Sequence, residues 1–261
     1  MTALLVVVAA VLGLAVGSFL NVVVWRVPRD ESVVRPPSAC PACGHPVRPR
    51  DNVPVVSWLL LRGRCRDCDA PISVRYPLVE ATTSVLFALV VGWLGASWAL
   101  PAFWYLAAVS VALFLIDVDV RRLPNAIVLP SYPVAFVLLA LASANPGGPS
   151  DFSALLRAVL AGAALLVFYV VLRVVYPAGM GLGDVKLSGV LGLYLGWVGW
   201  SAVVVGAFAA FLLGGVYGVA LVVLRRAGRK STLPFGPWML LGAAVGLVAG
   251  PAVAGWYVGL L

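Results

Sequence analysis

The sequence predicts an all-α polytopic membrane protein of eight transmembrane helices with one small metal-binding loop domain, and three observations carry that prediction. The first is composition. The chain is 62% apolar and only 11% charged, with a mean hydropathy of +1.05, whereas soluble domains are roughly 45–50% apolar and about a quarter charged. The second is run length, since apolar stretches close to the roughly 20 residues needed to cross hydrocarbon recur along the whole chain. The third is the placement of charge. Lys and Arg gather in alternate loops, as the positive-inside rule requires.

The runs cover residues 3–25, 78–96, 99–117, 126–144, 154–176, 187–199, 200–224 and 237–259. No basic residue precedes the first run, and no small-x-small cleavage site occurs before Trp25 and Arg26, so it reads as a retained span and not a removed signal. Residues 26–77 form a polar loop, and 78–261 hold the seven remaining spans, which divides the chain into 1–25, 26–77 and 78–261. The sixth and seventh runs are crowded around Gly199, and the sixth is short. Glycines at four-residue spacing, such as Gly192 with Gly196 and Gly242 with Gly246 and Gly250, predict close helix packing.

Eight spans place both termini on one side, and the basic loops 26–77, 118–125, 177–186 and 225–236 on the other, the cytoplasm. The opposite connections, 97–98, 145–153 and the turn at Gly199, contain no Lys or Arg. The net charge of +8 therefore reports topology. Membrane lipid is the partner it implies, and nucleic acid is not.

All four cysteines lie in the 26–77 loop, as Cys40-Pro-Ala-Cys43 and, after 21 intervening residues, Cys65-Arg-Asp-Cys68. Two CxxC pairs suit a tetrahedral Zn²⁺, because each short turn offers two sulfurs to one ion. A reducing cytoplasm disfavours structural disulfides. Four thiolates leave no open position, so the expected zinc is structural, and the only histidine, His45, is read as a solvated loop residue.

Outside that loop the chain has five acidic residues: Glu80, Asp117, Asp119, Asp151 and Asp184. An ionisable group at membrane depth is costly and marks a functional site by default. Asp117 and Asp119 cannot act together from one helix, since a two-residue step rotates the side chain by about 200°. Topology puts Asp151 on the far side, leaving Glu80 and Asp184 as partners for Asp117. Asp184 follows Gly179, Gly181 and Gly183, where a sharp turn could receive a peptide backbone. Two carboxyls at close range share one proton, so one acts as a base toward water while the other donates. The bland alternative is that Asp117 caps a helix or pairs with Arg121 or Arg122, and that Asp184 is an N-cap.

These blocks, taken in order, resemble the type IV prepilin peptidases over nearly the whole chain. The matching residues are Gly17-Ser-Phe-Leu-Asn21 through Trp25-Arg26-Val-Pro28, the two CxxC pairs, Arg75-Tyr-Pro-Leu-Val-Glu80, Asp117 with Leu123-Pro124-Asn125, and Gly181-Leu-Gly183-Asp184-Val-Lys186. The resemblance implies a GxGD-type aspartic protease core with Asp117 and Asp184 as the catalytic pair. Asp119, Pro124, Asn125, Gly181, Gly183 and Lys186 then take supporting roles. It implies cleavage of prepilins or pseudopilins after a glycine on the cytoplasmic side of a bacterial plasma membrane. It also implies N-methylation of the new terminus from S-adenosylmethionine, for which Glu80, Asn21 and Arg26 are the candidate residues. Peptidase activity without methyl transfer is the alternative, because no glycine-rich nucleotide fingerprint is present.

Two other classes compete. A transporter would need facing midplane carboxylates and internal repeats, whereas both aspartates sit at span ends. A non-enzymatic assembly protein would leave the glycine-rich turn at Asp184 without a purpose.

Overall fold

The computed structural model describes residues 2–224 and 234–259, which places the basic cluster at 225–230 outside the described residues. The long helices follow the apolar runs closely: α1 (Thr2–Arg26), then, after the short α2 (Val56–Leu60), α3 (Arg75–Leu94), α4 (Leu100–Val120), α5 (Asn125–Ala144), α6 (Phe152–Val175), α7 (Leu182–Val198), α8 (Trp200–Val223) and α9 (Gly236–Val258). Among the described residues, seven helices are long and apolar enough to cross a membrane.

The exception is α7, at 17 residues, which is roughly 25 Å at the rise of an α-helix. Nearly every residue from Asp184 to Gly196 in it is buried. Its neighbours are α5, α6, α8 and α9. A helix sheathed by protein does not need its length matched to lipid, which explains the short sixth run.

The chain forms two compact units, residues 1–112 and 113–261, with the boundary inside α4. In the first unit, α1 lies directly against α3. A side chain on Gly17 would meet the Glu80 Cα at 2.7 Å, and one on Gly13 the Ser84 Cα at 2.6 Å. Ser84 Oγ donates to the Ala10 carbonyl across this contact at 2.9 Å. Phe87 stacks on Trp104, with ring centroids 5.6 Å apart.

In the second unit the spaced glycines pack as expected. A Cβ on Gly192 would meet the Gly162 Cα at 2.7 Å, and one on Gly246 the Gly206 Cα at 2.7 Å. Arg157, the lone cation at the predicted outer side, has a structural explanation. Its Nε and Nη2 donate to the Gly196 and Trp197 carbonyls at 2.7 and 2.8 Å, closing the C-terminal end of α7. Asp151 caps α6 at the same end, accepting from the Ala154 amide at 3.0 Å.

Candidate active site and metal centre

Asp117 lies near the C-terminal end of α4 and is buried, while Asp119, two residues on, is exposed. The pair diverges as helical geometry requires. Asp117 Oδ2 accepts the backbone N–H of Gly236, the first residue of α9, at 3.1 Å. The first amides of a helix have no internal partner and attract an anion. Its side chain is engaged with that amide.

Asp184 is also buried, at the third position of α7, where its Oδ2 accepts the Gly181 N–H at 3.1 Å. Gly181, not Asp184, is the N-cap. Having no side chain, Gly181 cannot return the bond, so only half of a capping box is made. Arg173 of α6 braces the turn before it, donating to the Pro177 carbonyl at 3.0 Å and also to that of Met180.

Leu123 packs beside two glycines, one bonded to Asp117 and one preceding Asp184. A Cβ on Gly236 would lie 2.6 Å from Asp117 Oδ2 and 3.4 Å from Leu123 Cδ1. A Cβ on Gly183, the residue before Asp184, would lie 2.8 Å from Leu123 Cβ and likewise 3.4 Å from its Cδ1. Leu123 thus fills the cradle that both glycines leave. Pro124 is the N-cap of α5 in extended conformation, so Asn125 starts that helix. Asn125 Oδ1 accepts from Lys186 Nζ at 2.9 Å, and Tyr132 Oη donates to the Lys186 carbonyl at 2.6 Å. These two bonds tie the start of α5 to the start of α7.

Sequence reasoning missed Gly236 and Tyr169, and gave Leu123 only as part of its block, with no role of its own. Tyr169 on α6 is buried, and its ring forms one cluster with those of Phe211 and Phe235, at 5.7 and 6.5 Å. The one available signal was the Phe235-Gly236-Pro237 turn at the head of the last span, a helix start placed at the same predicted membrane edge as Asp117.

The remaining candidates belong to the first unit. Glu80 is buried and its Oε2 accepts the Val55 N–H at 2.7 Å. Asn21 Nδ2 donates to the Tyr76 carbonyl at 3.2 Å. Arg26 closes the first turn of the loop through the Ser32 and Pro36 carbonyls at 2.9 and 2.8 Å.

The four cysteine sulfurs lie within 4.8 Å of one another. Cys40 and Cys68 Sγ are 3.8 Å apart, the edge of a tetrahedron with metal–sulfur bonds of about 2.3 Å. The two CxxC turns are copies of each other. Gly44 N–H bonds to the Cys40 carbonyl at 2.8 Å and Asp69 N–H to that of Cys65 at 3.0 Å, both residues having left-handed φ (72° and 56°). Cys40 and Cys65 N–H reach back to the His45 and Ala70 carbonyls, each at 2.9 Å. His45 therefore serves the turn by its backbone. The backbone N–H groups of Cys43 and Ala42 pull the Cys40 thiol down to about 6. Burial and the neighbouring cysteines raise Cys43 and push Cys68 up to about 12, so without a cation the cluster favours one thiolate and not four. The donor set fits a four-coordinate ion.

Comparison with known proteins points the same way. Residues 11–94 match the bacterial peptidase A24 N-terminal domain, and residues 104–219 match the type IV leader peptidase family. A prepilin leader peptidase/N-methyltransferase of Aeromonas hydrophila is 35% identical over 94% of this chain and 91% of its own length. One of Pseudomonas aeruginosa is 36% identical over 95% and 91%, and one of Neisseria gonorrhoeae 38% identical over 88% and 85%. No solved structure matches the chain. On these matches, spanning both the cysteine loop and the helices that carry the two aspartates, the chain belongs to the type IV leader peptidase family.

Proposed function

We propose that this protein is a membrane aspartic endopeptidase that removes the leader of type IV prepilins or pseudopilins after a glycine and methylates the new amino terminus from S-adenosylmethionine. The observation that carries the peptidase reading is that Asp117 and Asp184 are both buried and each held through Oδ2 by one N–H at a helix start. Leu123 packs beside both Gly236, which bonds Asp117, and Gly183, which precedes Asp184. Each carboxyl keeps Oδ1 for substrate or water. Two carboxyls so placed hold one proton between them. The ionised one takes a proton from the attacking water, and the protonated one donates to the scissile carbonyl oxygen. Collapse of the tetrahedral intermediate then breaks the C–N bond, with a proton returned to the leaving amine.

In this reading Gly181 and Gly183 let the substrate backbone approach Asp184. Pro124, Asn125 and Lys186 fix the starts of α5 and α7, and Asp119 faces the aqueous edge. Residues 78–261 form the peptidase core, 1–25 the first span, and 26–77 a loop held by a structural Zn²⁺ on Cys40, Cys43, Cys65 and Cys68. With α7 counted as a crossing, eight spans put both termini outside and the aspartates at the cytoplasmic face of a bacterial plasma membrane.

The relatives' shared name supports methyl transfer as well. One observation favours peptidase activity alone: Glu80, Asn21 and Arg26 are each bonded to backbone groups of their own unit. These bonds give each of the three a structural task in its own unit.

The test is incubation of the purified full chain with a candidate prepilin and S-adenosylmethionine, read by mass spectrometry. Wild type should yield a leaderless product heavier by one methylene. Asp117→Asn and Asp184→Asn should each lower cleavage by about 10²–10⁴-fold. Normal processing by either variant would exclude the dyad, and an unmethylated wild-type product would leave the peptidase alone.

A further inference from the structure

The 26–77 loop has an apolar face that neither its cysteine cluster nor its contact with α3 uses. Val56, Leu59 and Leu60 stand at i, i+3 and i+4 of α2, on one side of the helix. All three are exposed, Leu60 at 78% and Leu59 at 61%. The neighbouring side chains are engaged within the loop. Ser57 is buried, donating to the Arg50 carbonyl and accepting from the Val53 amide, each at 3.0 Å, and Trp58 Nε1 donates to the Ile72 carbonyl at 3.0 Å.

The depth of this face is fixed by Glu80. Its carboxylate holds the Val55 N–H, immediately before α2. Glu80 is five residues beyond Arg75, the start of α3, which is roughly 7.5 Å along the axis. Because α3 is long and apolar enough to span a membrane, and the Glu80 side chain leans back toward the start of that helix, α2 begins at the level of the first turns of the span. Interfacial helices bury their apolar side about 5–10 Å into the boundary between headgroups and acyl chains. The chain then returns through Arg62 and Arg64, both exposed and neither paired with a carboxylate among the described residues.

We propose that the α2 face formed by Val56, Leu59 and Leu60 inserts into the adjoining leaflet, with Arg62 and Arg64 binding anionic phospholipid headgroups. The loop is then held by three devices: a metal cluster, the Glu80 bond and the lipid surface. Charge complementarity selects lipid over a second copy of the chain, whose same face would bring arginine against arginine. The inference depends on α3 spanning the membrane and is independent of the peptidase chemistry.

The experiment places p-benzoylphenylalanine at Leu60, with Leu59 as a second labelled position and the exposed Leu89 of α3 as a lipid-facing control. The full chain is irradiated in nanodiscs of phosphatidylcholine with or without phosphatidylglycerol, and adducts are read by mass. Labels at Leu60 and Leu59 should give phospholipid adducts, with phosphatidylglycerol favoured over phosphatidylcholine. That preference should fall about fivefold for each of Arg62→Gln and Arg64→Gln. Lipid adducts at Leu89 but at neither loop position would overturn the proposal, as would crosslinks to a second copy or to added prepilin. Equal labelling of the two lipids would overturn the headgroup assignment.

Discussion

Glu80 in the first unit and Asp117 with Asp184 in the second are all buried carboxylates on apolar helices, and each accepts a single backbone N–H. Their donors differ. Glu80 takes the amide of Val55, a loop residue at φ 61°, where a β-branched side chain is strained. Asp117 takes the amide of Gly236, the first residue of α9, and Asp184 that of Gly181, the extended N-cap of α7, a glycine that carries no side chain to strain. The Glu80 bond ties the Val55 turn of the loop to α3. Asp117 and Asp184 lie in one compact unit, and Leu123 packs beside both Gly236 and Gly183. Burial and one N–H thus describe support in both units, and the proposed chemistry needs two such groups brought together.

The sharpest way to break that distinction is Gly236→Ala. The added Cβ would sit 2.6 Å from Asp117 Oδ2, so the carboxyl or the start of α9 must move. A displacement on the ångström scale costs about 10²-fold in turnover. The expected result is a fall in kcat of about that size with KM little changed. Wild-type turnover by the variant would show that the amide of Gly236 does not position Asp117.

Removing the metal probes the other unit. A chelator, or Cys40→Ser with Cys65→Ser, should expose 26–77 to trypsin, because so small a loop has no core to fall back on. Peptide-bond cleavage should fall much less than methylation, since Asp117 and Asp184 lie in the other compact unit. Equal loss of both activities would mean that the two units do not work separately.

A milder probe separates latch from chemistry at Glu80. Glu80→Gln keeps an oxygen for the Val55 amide, whereas Glu80→Ala leaves that donor unmet at a cost of about 1.5–3 kcal/mol. Amide exchange across 53–62 should rise at least tenfold in the Ala variant and little in the Gln variant. If methylation is lost in Glu80→Gln while exchange stays slow, the carboxylate has a role beyond holding the loop.

What the sequence revealed and what it hid divide along physical lines. The helices were legible because each fills an apolar run of membrane length, with α3 and α4 differing from the runs by only about three residues at one end. Asp117, Asp184 and the four cysteines were legible because charge and thiols are conspicuous in a greasy chain. The separation of Asp117 from Asp119 followed from helical rotation alone. Gly236 was not legible, because its contribution is one amide brought to Asp117 across 119 residues of sequence. Leu123 and Tyr169 were hidden for the same reason, as ordinary apolar or aromatic residues whose importance is their address. The shortness of α7 was visible, but its enclosure by four helices was not.

The smallest effect concerns the ion pairs that close the cysteine loop, and it contrasts surface charge with the buried carboxylates. Arg66 grips Asp51 with Nε at 3.0 Å and Nη2 at 2.7 Å from the carboxylate. This hydrogen bonding, with the Arg66 charge, holds the Asp51 carboxyl below its ordinary range. A carboxyl whose pKa is lower in the folded state contributes stability above its unfolded value, near 3.9, and loses it as the pH falls through the folded value. The loop of the full chain should therefore show protease sensitivity that is flat from neutral pH to about 5 and rises only in stronger acid. Arg66→Gln should remove part of that acid dependence while leaving the neutral-pH value nearly unchanged, because exposed pairs are weak in water and salt. Since Asp117 and Asp184 lie in the other unit, the same substitution should leave the pH profile of cleavage where it was. A shifted cleavage profile in Arg66→Gln would show that charge in the metal loop reaches the aspartates, and the two regions would then have to be treated as one electrostatic site.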